Sequence, residues 1–468
     1  MNKKTTFVAL CLAMSLGSWA QTKQGGISPQ MLSEIQKLQS QTPASKALFN
    51  AIAANNIDDL VKNHANQGPV DTHFSVETPA QSIHDQKSSG RCWMFSGFNV
   101  LRSNFAKAHG DSLKVELSHD YLFFYDQLEK ANLMLQGVID NAKKPIDDTR
   151  VQFFFKSPIN DGGTFCGVAD LADKYGVVPM SIVPETYSAE NTSRISRLVA
   201  SKLREFGLEL RDMVAKGKNA KAINERKTQM LATIYNMLSM TLGEPVKEFT
   251  YAFTDKNGKT VGTPKKYTPK EFFHEVVGDG IKGTFIMVMN DPRRPYHKTY
   301  EVEYDRHTYD GTNWKYLNLP MDEIAQLAIA SLKDGRKMYS SYDVGKQYDR
   351  KRGLLDVNNY DYASLFSTTF GMDKAQRIST FDSGSTHAMT LSAVDLDANG
   401  KPLKWKVENS WGPANGQNGC LIMTNEWFNE YIFRLVVDKQ YVPAETLKLF
   451  DQKPVMVMPE DPLFQEDM

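Results

Sequence analysis

From Cys92 onward the apolar positions Trp93, Phe95, Phe98, Val100, Leu101 and Phe105 recur at close to helical period and leave almost no polar face. A helix that is apolar nearly all round is a buried one. The spacing therefore predicts a core helix with Cys92 near its N-terminus, after a turn at Ser88-Ser89-Gly90. Further along, Ile195, Leu198, Val199, Leu203, Phe206, Leu210, Met213 and Val214 follow an i, i+3, i+4 pattern through a charged background, which predicts an amphipathic helix. A second one runs from about Ala220 to Leu242 and stops near Gly243, a usual C-terminal signal. Phe249, Tyr251 and Phe253 then alternate and lead into Asp255-Lys256-Asn257-Gly258, which suits a hairpin turn. Near the start, Met31, Ile35 and Leu38 sit at helical spacing in a polar stretch. The last third reads as strands: His387 to Val394, a turn from Asp395 to Gly400, and Leu403 to Glu408. His387 and Asn409 thus fall near the outer ends of one hairpin, side by side despite their separation in sequence.

Residues 1–20 break this pattern. Lys3 and Lys4 precede an apolar run from Phe7 to Leu16, and Ser18-Trp19-Ala20 places small residues where signal peptidase needs them. The stretch reads as a cleavable export signal, since the run is short of the ~20 residues a membrane span requires. No other segment is apolar enough to cross a bilayer. Export to the periplasm or outside the cell changes the meaning of the cysteines. Without Cys11, three remain, Cys92, Cys166 and Cys420, so at least one thiol is outside any intramolecular disulfide. A thiol kept free in an oxidising compartment suggests a chemical use.

Composition adds mainly exclusions. Hydrophobic residues make up 41% and charged residues 24%, which fits an ordinary globular chain. The 55 basic and 55 acidic side chains cancel, so nothing asks for nucleic acid as a partner. Gly278-Asp279-Gly280-Ile281-Lys282-Gly283 matches a dinucleotide-binding pattern but lies after a helix-like stretch and before a strand-like one, the reverse of that motif's order. Asp395 to Gly400 resembles the start of a calcium loop, yet Lys406 stands where a bidentate Glu is required. No paired Cys-x-x-Cys or HExxH occurs, so no metal or organic cofactor is expected.

Acyl transfer by cysteine needs a thiolate, a base, and donors for the oxyanion. Each has a candidate. Cys92 in Ser89-Gly90-Arg91-Cys92-Trp93 starts a helix, whose positive end favours the thiolate; a lone cysteine beside Trp and Phe is as often an inert core thiol. Gln86, six residues earlier, can fold its amide over the turn and donate to an oxyanion together with the Cys92 N–H; taken alone it reads as a solvated loop residue. His387 can shuttle the proton. Asn409, in Glu408-Asn409-Ser410-Trp411-Gly412, can accept from its other ring nitrogen, with Trp411 covering that bond. The four in this order are far more specific than any one.

Gln…Cys-Trp, then His at a strand start, then Asn-Ser-Trp-Gly resembles the papain superfamily. His387 follows Cys92 by 295 positions (387 minus 92) where about 130–150 is usual. The excess matches the helical and hairpin stretch between them. With Asn160-Asp161-Gly162-Gly163, Asn290-Asp291-Pro292-Arg293, Tyr342 to Lys346, Thr386 to Thr390, Thr424 to Phe428 and Asp461-Pro462, the chain resembles the bleomycin hydrolase and aminopeptidase C branch over nearly its whole length. Arg91 departs from the small residue that usually precedes the papain nucleophile, and the tail after Asp461-Pro462 is acidic where that branch ends small and apolar.

The resemblance implies a papain-like α+β fold with a helical and a β-rich half, and a thiol aminopeptidase acting on peptides. It implies a homohexamer with its sites facing a chamber. It also implies that Gly162 and Gly163 line the substrate cleft, and that the chain end, Met468, enters the cleft to meet the substrate's ammonium group. The expected layout is a signal peptide (1–20), an N-terminal segment (21–75), the helical half (76–188), a helical and hairpin insert (189–318) and the β-rich half with its tail (319–468). Two other readings remain: an exported papain-like endopeptidase, and a non-catalytic oligomeric scaffold.

Overall fold

The computed structural model describes residues 25–39 and 42–464; the stretch 1–20, expected to be a signal peptide, and Met468 lie outside them. The chain divides into two units, residues 1–62 and 63–468.

The first unit contains helices Pro29–Leu38, Pro43–Ala54 and Ile57–Leu60. Each has a side-chain N-cap, from Ser28, Thr42 and Asn56, and the first two carry Pro in the first turn. Local signals are thus enough to define these helices. None buries a residue, and Met31, Ile35 and Leu38 are all exposed.

In the second unit helices pack on a twelve-stranded sheet, an α+β arrangement. The helix predicted from Cys92 spans Cys92–Ala108 and buries twelve of its residues, Trp93 and Phe98 among them. It packs on the strand His387–Leu396, which stands near the middle of the sheet. That strand is buried over its first eight positions and pairs antiparallel with Met338–Tyr342 on one side and Pro402–Glu408 on the other. Thr390 lies opposite Glu408. This register carries residue 409 back toward residue 387.

The span 189–318 has two kinds of part. Helices Ser193–Ala215 and Ala220–Leu242 pack on the helix His119–Asp140, and Gly243 ends the second at φ 84°, a backbone state only glycine adopts freely. Phe249–Tyr251 pairs with Lys265–Tyr267, while the turn at Asp255 closes through Asp255 N to Lys259 O. The alternating run and its turn therefore belong to a wider hairpin than the sequence suggests. The remaining strands, Phe285–Met289, Lys298–Val302 and Lys315–Asn318, join the same sheet as His387–Leu396. No described helix is long and apolar enough to cross a membrane.

Candidate active site

Cys92 opens its helix, and its cap residue Arg91 makes no side-chain cap bond. The N–H groups of Cys92 and Trp93, at the positive end of the helix, are thus left without a side-chain cap. The turn that presents Cys92 is fastened from below. Gly90 N–H donates to Asp161 Oδ2 at 2.6 Å, and Trp93 Nε1–H donates to Asp161 O at 2.9 Å. Thr192 Oγ1–H donates to the same carboxylate. A Cβ on residue 90 would lie 2.4 Å from Asp161 Oδ1, so only glycine allows the approach.

Arg91, the residue that departs from the usual small one, is fully buried. Its guanidinium pairs with Glu185 at 2.8 Å and lies between Phe95 and Phe123, 5.4 and 5.3 Å from their ring centroids. Removing one partner of such a pair leaves an uncompensated buried charge, at a cost of roughly 3–5 kcal/mol. Arg91 is thus part of the frame of the turn.

The β-rich half supplies the other groups. His387 Nε2 lies 2.8 Å from Asn409 Oδ1, which also accepts from Ser410 N–H at 2.8 Å. An oxygen acceptor there puts the ring proton on Nε2. Nδ1 on the other side makes no protein hydrogen bond among the described residues. Trp411 stacks on the imidazole, with centroids 4.8 Å apart and planes at 26°. The amide of Ala388, the next residue, donates to Cys92 Sγ at 3.4 Å, which brings the thiol to the start of the histidine strand.

Gln86 is buried where the halves meet. Its backbone N–H donates to Ser410 O at 2.8 Å, its Oε1 accepts from Ser410 Oγ–H, and its Nε2 donates to Ser89 O. With the carbonyl oriented by Ser410, the amide nitrogen faces the nucleophile turn and keeps a second proton for another acceptor. Cys92, His387, Asn409, Gln86 and Trp411 therefore form one cluster.

Burial pushes the Cys92 thiol up to about 11, against the pull of the Ala388, Trp93 and Cys92 amides. Burial pushes His387 down to about 4, against its bond to Asn409. Burial thus disfavours a lone charge on either group. Moving the proton between them makes two opposite charges at once, which stabilise each other strongly at low dielectric. The other thiols lack such partners: Cys166 is buried and pushed above the ordinary thiol range, and Cys420 is pushed up to about 11, each by burial.

Gly162 and Gly163 follow Asp161, and a Cβ on Gly163 would lie 2.9 Å from Trp93 Cε2. Gly163 is exposed, and both line a cavity of about 570 Å³ with Phe153, Tyr304, His307 and Phe464. Phe464 is the last described residue, so the C-terminal segment reaches this cavity. It is held upstream by Asp461, which Arg293 and Arg294 grip at 2.7 and 2.6 Å. Sequence reasoning missed Asp161, although it adjoins the quoted glycine pair. It also missed Asp126, Lys130 and His307 behind that pair, which carry no motif.

The chain is similar to known proteins over nearly its whole length. The model of the Peptidase C1-like family matches residues 26–464. An aminopeptidase C of Lactobacillus delbrueckii subsp. lactis is 37% identical over 430 residues, covering 91% of this chain and 95% of that one. Human bleomycin hydrolase is 38% identical over 403 residues, covering 83% and 87%. The crystal structure of PepW from Lactobacillus rhamnosis HN001 superposes with a TM-score of 0.88 at 35% identity, covering 94% of this chain and 99% of that one. On these matches, the chain belongs to the Peptidase C1-like family of papain-like cysteine peptidases.

Proposed function

We propose that this peptidase is an aminopeptidase that removes N-terminal residues from peptides through an acyl-enzyme on Cys92. The observation that carries the reading is the convergence of Cys92, His387, Asn409 and Gln86 at one junction. Cys92 Sγ attacks the scissile carbonyl as its proton passes to His387 Nδ1. His387 then gives that proton to the leaving amine, and water takes the same route in reverse to free the acid. Asn409 keeps the imidazole in the tautomer and orientation this needs. The free proton of Gln86 Nε2 and the N–H of Cys92 receive the oxyanion. Relatives named aminopeptidase C and bleomycin hydrolase support the same activity.

Restriction to chain ends is assigned to the C-terminal segment. Leu463 and Pro462 pass beside Gly384, with their carbonyls 3.8 Å from where its Cβ would be, so the tail runs close to the approach to His387. The role assigned to the chain end, Met468, is to meet the substrate's ammonium group with its carboxylate, a charge-assisted contact. Gly162 and Gly163 line the cleft, Gly163 offers its backbone to the peptide, and the adjoining cavity takes a side chain. The enzyme acts after export directed by residues 1–20, as a homohexamer.

A peptide-library digest with mass readout tests the activity: free N-termini should be trimmed one residue at a time, and N-acetylated peptides spared. Acetylated peptides cut internally at equal rates would make the endopeptidase reading the better one. Sedimentation at micromolar concentration tests the assembly, and an active monomer would refute it.

A further inference from the structure

The segment Asn160–Thr164 forms a wall beside the nucleophile, and backbone groups on its inner side are held by buried side chains. Lys130 Nζ–H donates to Gly162 O at 2.6 Å and to Asn160 O at 3.1 Å, and Gln127 Nε2–H donates to Asn160 O at 2.8 Å. Thr164 N–H donates to His307 Nε2 at 3.2 Å. In extended backbone, the carbonyl before a residue and the N–H after it face one way, and the residue's own pair faces the other. Capturing Gly162 O and Thr164 N–H therefore turns the N–H and C=O of Gly163 outward. Neither makes a hydrogen bond among the described residues.

One carboxylate ties the two captors together. Asp126 is fully buried; its Oδ1 meets His307 Nδ1 at 2.5 Å, and its Oδ2 meets Lys130 Nζ at 3.1 Å and Gln127 Nε2 at 3.0 Å. Burial would raise this carboxyl, but the charge of Lys130 and the contact with His307 outweigh it and hold it below its ordinary value. His307 must then be neutral with its proton on Nδ1, because Nε2 accepts from an amide. The ring also fills the space behind the wall. A Cβ on Gly163 would lie 2.1 Å from it and one on Gly167 2.5 Å, and it packs on Trp93 with centroids 4.5 Å apart.

We infer that His307, held in one tautomer by Asp126 and coupled through it to Lys130, is a positioning residue that presents the backbone of Gly163 to extended peptide in the cleft. The inference rests on the reading of this wall as the peptide-pairing side of the site. His307 touches neither the thiol nor the reacting atoms. It stands in for a neighbouring strand: it satisfies the inner edge of the wall, so that the outer edge is fixed and free.

The discriminating variant is Asp126→Asn. Lys130 and Gln127 donate to one oxygen of residue 126, so the new amide keeps its oxygen toward them and turns its NH2 toward His307. The imidazole proton then moves to Nε2 and faces the N–H of Thr164, donor against donor. Volume is unchanged. KM for an unblocked pentapeptide should rise about tenfold with kcat within threefold, since binding is lost equally from ground and transition states. Alkylation of Cys92 by iodoacetamide, which does not use the wall, should keep its rate. In the Cys92→Ala background the same substitution should weaken the pentapeptide's Kd about tenfold, a readout independent of turnover. As a second pair, His307→Gln, which retains an acceptor for Thr164, should recover part of the affinity lost in His307→Leu. Unchanged KM and Kd in Asp126→Asn, or a parallel fall of kcat and alkylation rate, would overturn the inference. So would equal losses in the Gln and Leu variants. Failure of the wild-type enzyme to trim peptides would instead defeat the proposed activity, while the Kd comparison would still decide the role of the wall.

Discussion

Two buried histidines stand on either side of the Cys92–Trp93 pair, and they are held in opposite ways. His387 stacks on Trp411 and has the amide oxygen of Asn409 on Nε2; His307 packs on Trp93 and has the carboxylate of Asp126 on Nδ1. The neutral partner orients His387 without paying it a charge, and its other nitrogen stays unengaged and able to exchange a proton. The anionic partner locks His307, whose second nitrogen is already used by a backbone amide. The same side chain is thus a mobile proton site in one place and a fixed acceptor in the other. The chemistry of the partner and the use of the second nitrogen decide which.

This contrast can be broken in order of expected effect. Cys92→Ala removes the group that gives the His387 proton site its purpose. Turnover should fall at least about 10⁴-fold with the thermal unfolding transition unmoved; residual activity that depends on Cys166 or Cys420 would show that the nucleophile lies elsewhere. Gln86→Glu keeps the length of the side chain but replaces a donor by an acceptor. A loss of about 10²–10³ in kcat is expected, the usual effect of one oxyanion donor, and a change confined to KM would remove Gln86 from that role. Asn409→Asp gives His387 the kind of partner that His307 has. A carboxylate favours the charged imidazolium, so the pKa of His387 rises from its depressed value near 4. His387 must be neutral to take the thiol's proton, so the acid limb of the kcat/KM profile should move upward by about one unit or more. An acid limb that stays in place would mean that His387 is not the group that sets it.

The sequence made one of these histidines legible and hid the other. His387 and Asn409 sit at the ends of adjacent strands in a local hairpin, and Cys92, Gln86 and Trp411 lie in short motifs of their own. Their meeting could be inferred because each motif carries chemistry. Asp126 and Lys130 share one helix, but His307 lies 181 positions from Asp126, and only tertiary packing joins it to them. Periodicity had a similar limit. It placed the helices at Cys92, Ser193 and Ala220, but it reports the kind of element and not its neighbours. Phe285–Met289 is an apolar run in the middle of the chain, and nothing in its pattern announces that it belongs to the sheet bearing His387. Conversely, Met31, Ile35 and Leu38 have helical spacing and form a helix, yet remain uncovered in the described chain. An amphipathic pattern promises a face to be buried without saying what buries it.

The fastening of the nucleophile turn has a consequence in time as well as in space. Gly90 reaches Asp161 across 71 positions, the thiol reaches Ala388 across 296, and Gln86 reaches Ser410 across 324. Contacts of such separation close large loops and form late, whereas capped helices form early. A partly folded chain of this size holds much of its secondary structure before its long-range packing is complete. Competence is therefore acquired at the last step of folding, and an unfinished molecule carries an ordinary thiol and no peptidase. During refolding, far-UV circular dichroism should recover ahead of peptide turnover, with an interval between them that shortens as the folding conditions improve. Recovery of both signals in a single shared phase would contradict this order of events.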